Sequence, residues 1–158
     1  PNNRSVCFPS GLWSKEAVGS AEANYNFSNC EQNASDFLKV VTENNKAFLA
    51  ASQLASNYQG HWIAVGGFDY AAGYFGAADV ASLKGKAQGD NGKSWLTLVA
   101  DNQGKQPLKF LQKYDFAAAY SYALLSRLVS CAHLANVSFS DADWTEGVAF
   151  NYFYHLVG

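Results

Sequence analysis

Apolar residues return at helical spacing along three stretches of this chain. Phe37, Val41, Phe48, Ala51, Ala55 and Tyr58 recur three, four or seven places apart, the period of one helical face, while Lys39, Glu43 and Lys46 fall off that stripe. Asn33 or Ser35 can cap such a helix through its side-chain oxygen, and Asp36 suits the positive end of the dipole. The pattern predicts one helix over 35–58, ended by Gly60. A second helix is expected over 107–135, opened by Pro107, whose missing N–H is no loss in a first turn. It carries two stripes: Leu108, Leu111, Ala118, Tyr122, Leu125, Val129 and Ala132, then Phe110, Tyr114, Leu124, Leu128 and Cys131. Two apolar faces on one helix place it centrally. A third helix is expected over 141–156, with Ser140 and Asp143 as a capping box and Trp144, Val148, Phe150, Tyr152, Phe153, Tyr154 and Leu156 along it.

The segment between Trp62 and Val80 reads differently. Small residues recur four apart at Gly67/Ala71, Ala72/Gly76 and Gly73/Ala77, and Phe68, Tyr70, Tyr74 and Phe75 project from the remainder. On a helix, such small pairs form a smooth strip that another backbone can approach closely. Interior glycines cost up to about 1 kcal/mol each relative to alanine, so a packing reason is expected. Lys84–Lys93 reads as a solvated, turn-rich loop. Trp95–Ala100 fits a buried strand or a short helix equally. The fold expected is mainly α, a single-domain helical bundle spanning residues 1–158. A short strand or hairpin near 95–110 is the non-helical alternative, and residues 1–33 form a turn-rich N-terminal region.

Composition narrows the class. Hydrophobic residues make up 49% of the 158 and charged residues 15%, which excludes disorder, a coiled coil and a collagen-like fibre. No apolar run is long enough to span a membrane. A net charge of −2 lacks the basic footprint of a nucleic-acid binder. The chain opens at Pro1 and holds no methionine, as removal of a secretory leader or simple trimming would leave it. Four Asn-x-Ser triplets, at Asn3, Asn26, Asn33 and Asn136, favour secretion or periplasmic export and offer glycan acceptors. Three cysteines cannot all pair. In an oxidising compartment Cys7 with Cys30 is the preferred bridge, closing the polar N-terminal region; Cys30 with Cys131 is the competitor.

Candidate chemistry is sparse. Signatures of nucleophile elbows, zinc peptidases, phosphate-binding loops and dinucleotide folds are absent. Asp141-Ala142-Asp143 begins like a calcium loop, but Glu146 and Tyr152 stand where glycine and the bidentate acid are required. No metal or cofactor is expected. The most suggestive wall is Tyr58, His61, Trp62, Phe68, Tyr70 and Tyr74, where a flat or apolar ligand could lie; Tyr58 and His61, three apart, could face a haem together. Three function classes follow. The first is an extracellular protein acting by binding or self-assembly, through the 62–80 segment. The second is a carrier of a small apolar ligand. The third is an enzyme using His61, Asp69 or His133.

Overall fold

Asn26 sets where the first helix starts. Its side-chain oxygen accepts the Asn29 N–H at 3.0 Å, which satisfies a donor that every helix N-terminus leaves open. The computed structural model describes residues 4–12, 23–129 and 131–141, and in it α1 runs Phe27–Thr42. Asn45 then caps afresh by accepting from the Phe48 N–H, and α2 runs Lys46–Asn57. The helix expected over 35–58 is therefore two, and the first begins well before Asn33. Recapping at Asn45 resets the helical phase. The face of α1 that is buried is Phe27, Cys30, Ala34, Leu38 and Thr42, and of the expected stripe from Phe37 to Tyr58 only Ala55 is buried.

Strand β1 (Trp62–Val65) follows, then α3 (Gly67–Phe75), which Gly76 ends in the left-handed region at φ 62°. The Lys86 ammonium donates to the Gly76 carbonyl. Much of the loop expected over 84–93 is helical. Asp79 and Ser82 form a reciprocal capping box that opens α4 (Val80–Ala87), with Val80, Leu83 and Ala87 inward at spacings of three and four. Trp95–Ala100 is helical too. Ser94 accepts from the Thr97 N–H and starts α5 (Trp95–Asn102), so the strand or hairpin considered near 95–110 is absent. The Pro107 carbonyl accepts from Phe110 and Leu111, opening α6 (Leu108–Val129). A 3₁₀ turn (Cys131–Asn136) replaces the last turns expected before 135, and strand β2 (Val137–Ser140) follows; the capping box expected between Ser140 and Asp143 lies outside the described residues. The helix expected over 141–156, the calcium-like stretch beyond Asp141, Asn3 and the Cys131 side chain lie outside the described residues.

The class is as the pattern implied, mainly α, with α6 at the centre. It packs against α1, α2, α3, α4 and α5. Three apolar clusters lie along it. The first gathers Tyr25, Phe27, Cys30, Ala71, Leu83, Ala118 and Ala119; the second Ala55, Ala64, Val80, Leu125, Val129 and Val137; the third Ala34, Leu38 and Ala123. Alanines at these contacts let the helices approach closely. β1 and β2 pair in parallel, Trp62 opposite Val137 and Val65 opposite Ser140. The outer edge of β2 is met by a bridge from Asp79 to Ser138. At the N-terminal side, Cys7 and Cys30 stand at disulfide distance with Cα atoms 4.9 Å apart.

The small-residue strip expected along α3 is divided. Ala71 and Ala72 are buried, whereas a Cβ added at Gly67 or Gly73 would meet nothing within 4 Å. Gly73 therefore holds no close contact, and Gly73→Ala is expected to raise stability by about 0.5–1 kcal/mol through helix propensity. Urea unfolding of the two proteins measures this, and a loss of stability would restore a packing role for that glycine.

Candidate functional site

The aromatic residues proposed as one wall fall into separate places. Tyr58 caps the end of α2, half exposed, and meets the Trp62 ring edge-on at 5.0 Å between centroids. Its ring fills the space a Cβ at Gly60 would need, which explains that glycine. His61 is exposed and its Nε2 lies 2.8 Å from the Ser138 hydroxyl oxygen. Trp62 and Phe68 pack against the second cluster, and the buried Trp62 indole N–H has no partner. Tyr70 projects into solvent with 71% of its surface exposed. Tyr74 belongs to the first cluster, stacked on Tyr114 with centroids 4.4 Å apart and planes 8° from parallel. Tyr58, His61 and Trp62 thus share the corner where α2 meets β1. Tyr70 and Tyr74 lie on α3, with Tyr74 turned toward α6.

The three residues weighed for catalysis do not converge. Asp69 sits in the first turn of α3, His133 in the 3₁₀ turn with a buried Nδ1 that lacks a partner, and no hydrogen bond among the described residues joins them to His61. The His61–Ser138 pair resembles the first half of a nucleophile–base arrangement, but no carboxylate orients the imidazole among the described residues. No group of three or more His, Cys, Asp or Glu side chains could hold a metal ion among them either. Of the glycan acceptors, Asn26 uses its side-chain oxygen as the α1 cap, Asn33 lies within α1, and Asn136 is exposed just before β2.

Sequence reasoning passed over the most unusual chemistry in the fold. Asp115 lies mid-way along α6 with only 2% of its surface exposed, and its Oδ2 has no hydrogen-bond partner. Burial, reinforced by the charge of Asp90 and partly offset by Lys93, pushes its carboxyl up from 3.8 to about 8. Asp90, itself buried, is paired with Lys93 at 2.8 Å, and the same ammonium reaches Asp101 at 3.1 Å. Lys93 is held above its ordinary range, chiefly by the hydrogen bond to Asp90. Around these groups stand three tyrosines. Burial raises Tyr25 and Tyr114, and burial with the nearby Asp90 and Asp115 charges pushes Tyr74 up to about 12. The signal was available: Asp115 occupies the apolar stripe itself, four places after Leu111 and three before Ala118.

The fold and these sites together define a mainly helical protein braced by one parallel strand pair. Among the described residues no helix is long and apolar enough to cross a membrane. Comparison with protein-family models, with curated proteins and with solved structures finds no match.

Proposed function

We propose that this chain acts outside the cytosol by binding, first of all to a second copy of itself, and not by catalysis. The observation that carries the reading is α2. This helix of 12 residues holds one charged side chain, Lys46, and buries only Ala55. Ala47, Ala51, Leu54 and Tyr58 follow one another at spacings of four, three and four on its exposed side, with Leu54 72% exposed. A helix with so little charge and an apolar stripe turned to solvent gains most by packing that stripe against another surface. Phe37, Val40 and Val41 are likewise exposed on α1. This shifts the proposed contact away from α3, where the glycines are open but the alanines are already used internally. The cysteine pair at disulfide distance supports an oxidising compartment, and among the described acceptors Asn136 is the exposed one.

The carrier reading draws less support, because the proposed ligand wall is split between the α2–β1 corner and α3. Sedimentation equilibrium over a rising concentration series is the test. The wild type is expected to associate, and Leu54→Lys to shift it toward monomer while changing stability by no more than about 0.5 kcal/mol, as for an exposed site. A wild type that stays monomeric at the highest soluble concentration overturns the proposal.

A further inference from the structure

Tyr25 joins two parts of the molecule that meet over α6. Its carbonyl accepts the Gly92 N–H at 2.9 Å, and its hydroxyl donates to the Asp115 main-chain carbonyl at 3.4 Å. Nearby, the Phe27 N–H donates to the Asn91 side chain at 2.7 Å, and the Trp95 N–H to the Ser10 carbonyl at 2.8 Å. The 88–95 stretch is thus stitched to the N-terminal segment, Tyr25 links it to the Asp115 main chain, and its Trp95 packs against the cluster that holds Leu111, Tyr114 and Ala118 of α6.

The charges around Asp115 come from several elements. Asp90, in the 3₁₀ turn after α4, and Lys93 act on it directly. From α5, Asp101 draws on the same Lys93 ammonium. α3 supplies Tyr74, and the strand of chain before α1 supplies Tyr25. On α4, Lys84 lies over the Tyr122 ring and Lys86 is bound to the Gly76 carbonyl, so neither is spent on Asp115. Cys7 and Cys30, facing the same cluster, are tied to each other. Among the described residues no cation forms an ion pair with the Asp115 carboxyl, and the nearby Lys93 ammonium is bound to Asp90 and Asp101. The Asp115 carboxyl is tolerated in this setting as the neutral acid.

We propose that Asp115 and Asp90 form a pH-sensitive latch that holds residues 88–95 on α6 while Asp115 is protonated and loosens that stretch when it ionises. The sign follows from proton linkage. In the closed state the Asp115 carboxyl lies above its ordinary range, so the closed state binds the proton more tightly than the open one, where the side chain reaches water. Closing is therefore favoured most in acid and is progressively lost as pH rises from the ordinary carboxylate range toward about 8, levelling beyond it. The folded chain takes up a proton where an ordinary paired carboxylate would release one.

Native-state hydrogen exchange across pH is the experiment, with each amide rate divided by its intrinsic rate to give an opening constant. In the wild type the opening constants of 88–95 are expected to rise about tenfold per pH unit between pH 5 and 8 and then level. α2 amides should not follow. Asp115→Asn should flatten the dependence, and Asp90→Asn should move the levelling point to lower pH by removing the repulsion. Should Asp115→Asn fail to fold, the carboxyl carbon resonance of Asp115 in the wild type still decides. Its titration in the ordinary carboxylate range overturns the latch. So does a pH slope shared equally by α2 and 88–95, or one unchanged in Asp115→Asn.

Discussion

Phe27→Ala is expected to lower stability by about 3–5 kcal/mol, the range for emptying a large aromatic from a closed core. Phe27 is fully buried at the first position of α1. Its ring meets Tyr122 of α6 edge-on at 5.8 Å, and its N–H is bound to Asn91. Truncation removes apolar area, an aromatic pair and the anchor that places the start of α1 on α6. Natural domains hold only about 5–15 kcal/mol in all, so a large part of the total is at stake. The companion variant Phe37→Ala is informative because periodicity placed Phe37, not Phe27, on the inward stripe. Phe37 is 53% exposed, and its loss is expected to change stability by no more than about 0.5 kcal/mol. Urea midpoints at unchanged m-value give both numbers. The reverse order of effects would mean that α1 is rotated about its axis.

The second large effect belongs to the cysteines. Cys7 and Cys30 are 23 residues apart in sequence, and closing a loop of that size stabilises by about 3 kcal/mol in the chain-entropy account. Both side chains are buried beside Phe27, Ala118 and Ala119, so serine would also bring an unpaired hydroxyl into that cluster. Cys7→Ser should therefore unfold at markedly lower temperature than the wild type in oxidising buffer. In reductant the gap should narrow to the packing difference alone. Cys131→Ser should leave the reductant response of the wild type in place. Loss of that response in Cys131→Ser would instead favour the Cys30–Cys131 pairing.

Helical class, the central position of α6 and the preference for Cys7 with Cys30 were legible because each rests on local spacing or on a short loop. Helix breaks were not. The apolar period is continuous from Phe37 to Tyr58 only when Asn45 is counted as a solvated position; as a cap it breaks the stripe and starts α2 in a new phase, while α1, begun at Asn26, turns Phe27, Cys30, Ala34 and Leu38 inward in place of Phe37 and Val41. Gly85 between two lysines masked α4, though Asp79 and Ser82 marked its start. Trp95–Ala100 is apolar at nearly every position, so its helix was decided by Ser94, outside the run. The strands were hidden for another reason: four residues are too few for alternation to show, and the partner of Trp62 lies at Val137. At the candidate sites, sequence identified the aromatic side chains but not their dispersal, since helix packing sends Tyr74 to α6 and leaves Trp62 with the second cluster. Asp115 was overlooked because an apolar stripe draws attention to its hydrophobic members.

The parallel pairing of Trp62–Val65 with Val137–Ser140 also dictates an order of events during folding. Everything from α3 to the 3₁₀ turn after α6 lies between the two strands in the chain. Bringing them together before those helices have docked means closing a long, disordered loop, and contacts between such distant residues form slowly. Helices of local origin, α6 first among them, can assemble earlier. Until the strand pair closes, Trp62 and Ala64 lack Val137, their partner in the second cluster. On a ribosome, the first strand would emerge and wait while the whole central helix is synthesised. The strand pair thus acts as a completion signal: native tryptophan burial at Trp62 should be among the last spectroscopic changes in refolding, after helical signal has returned.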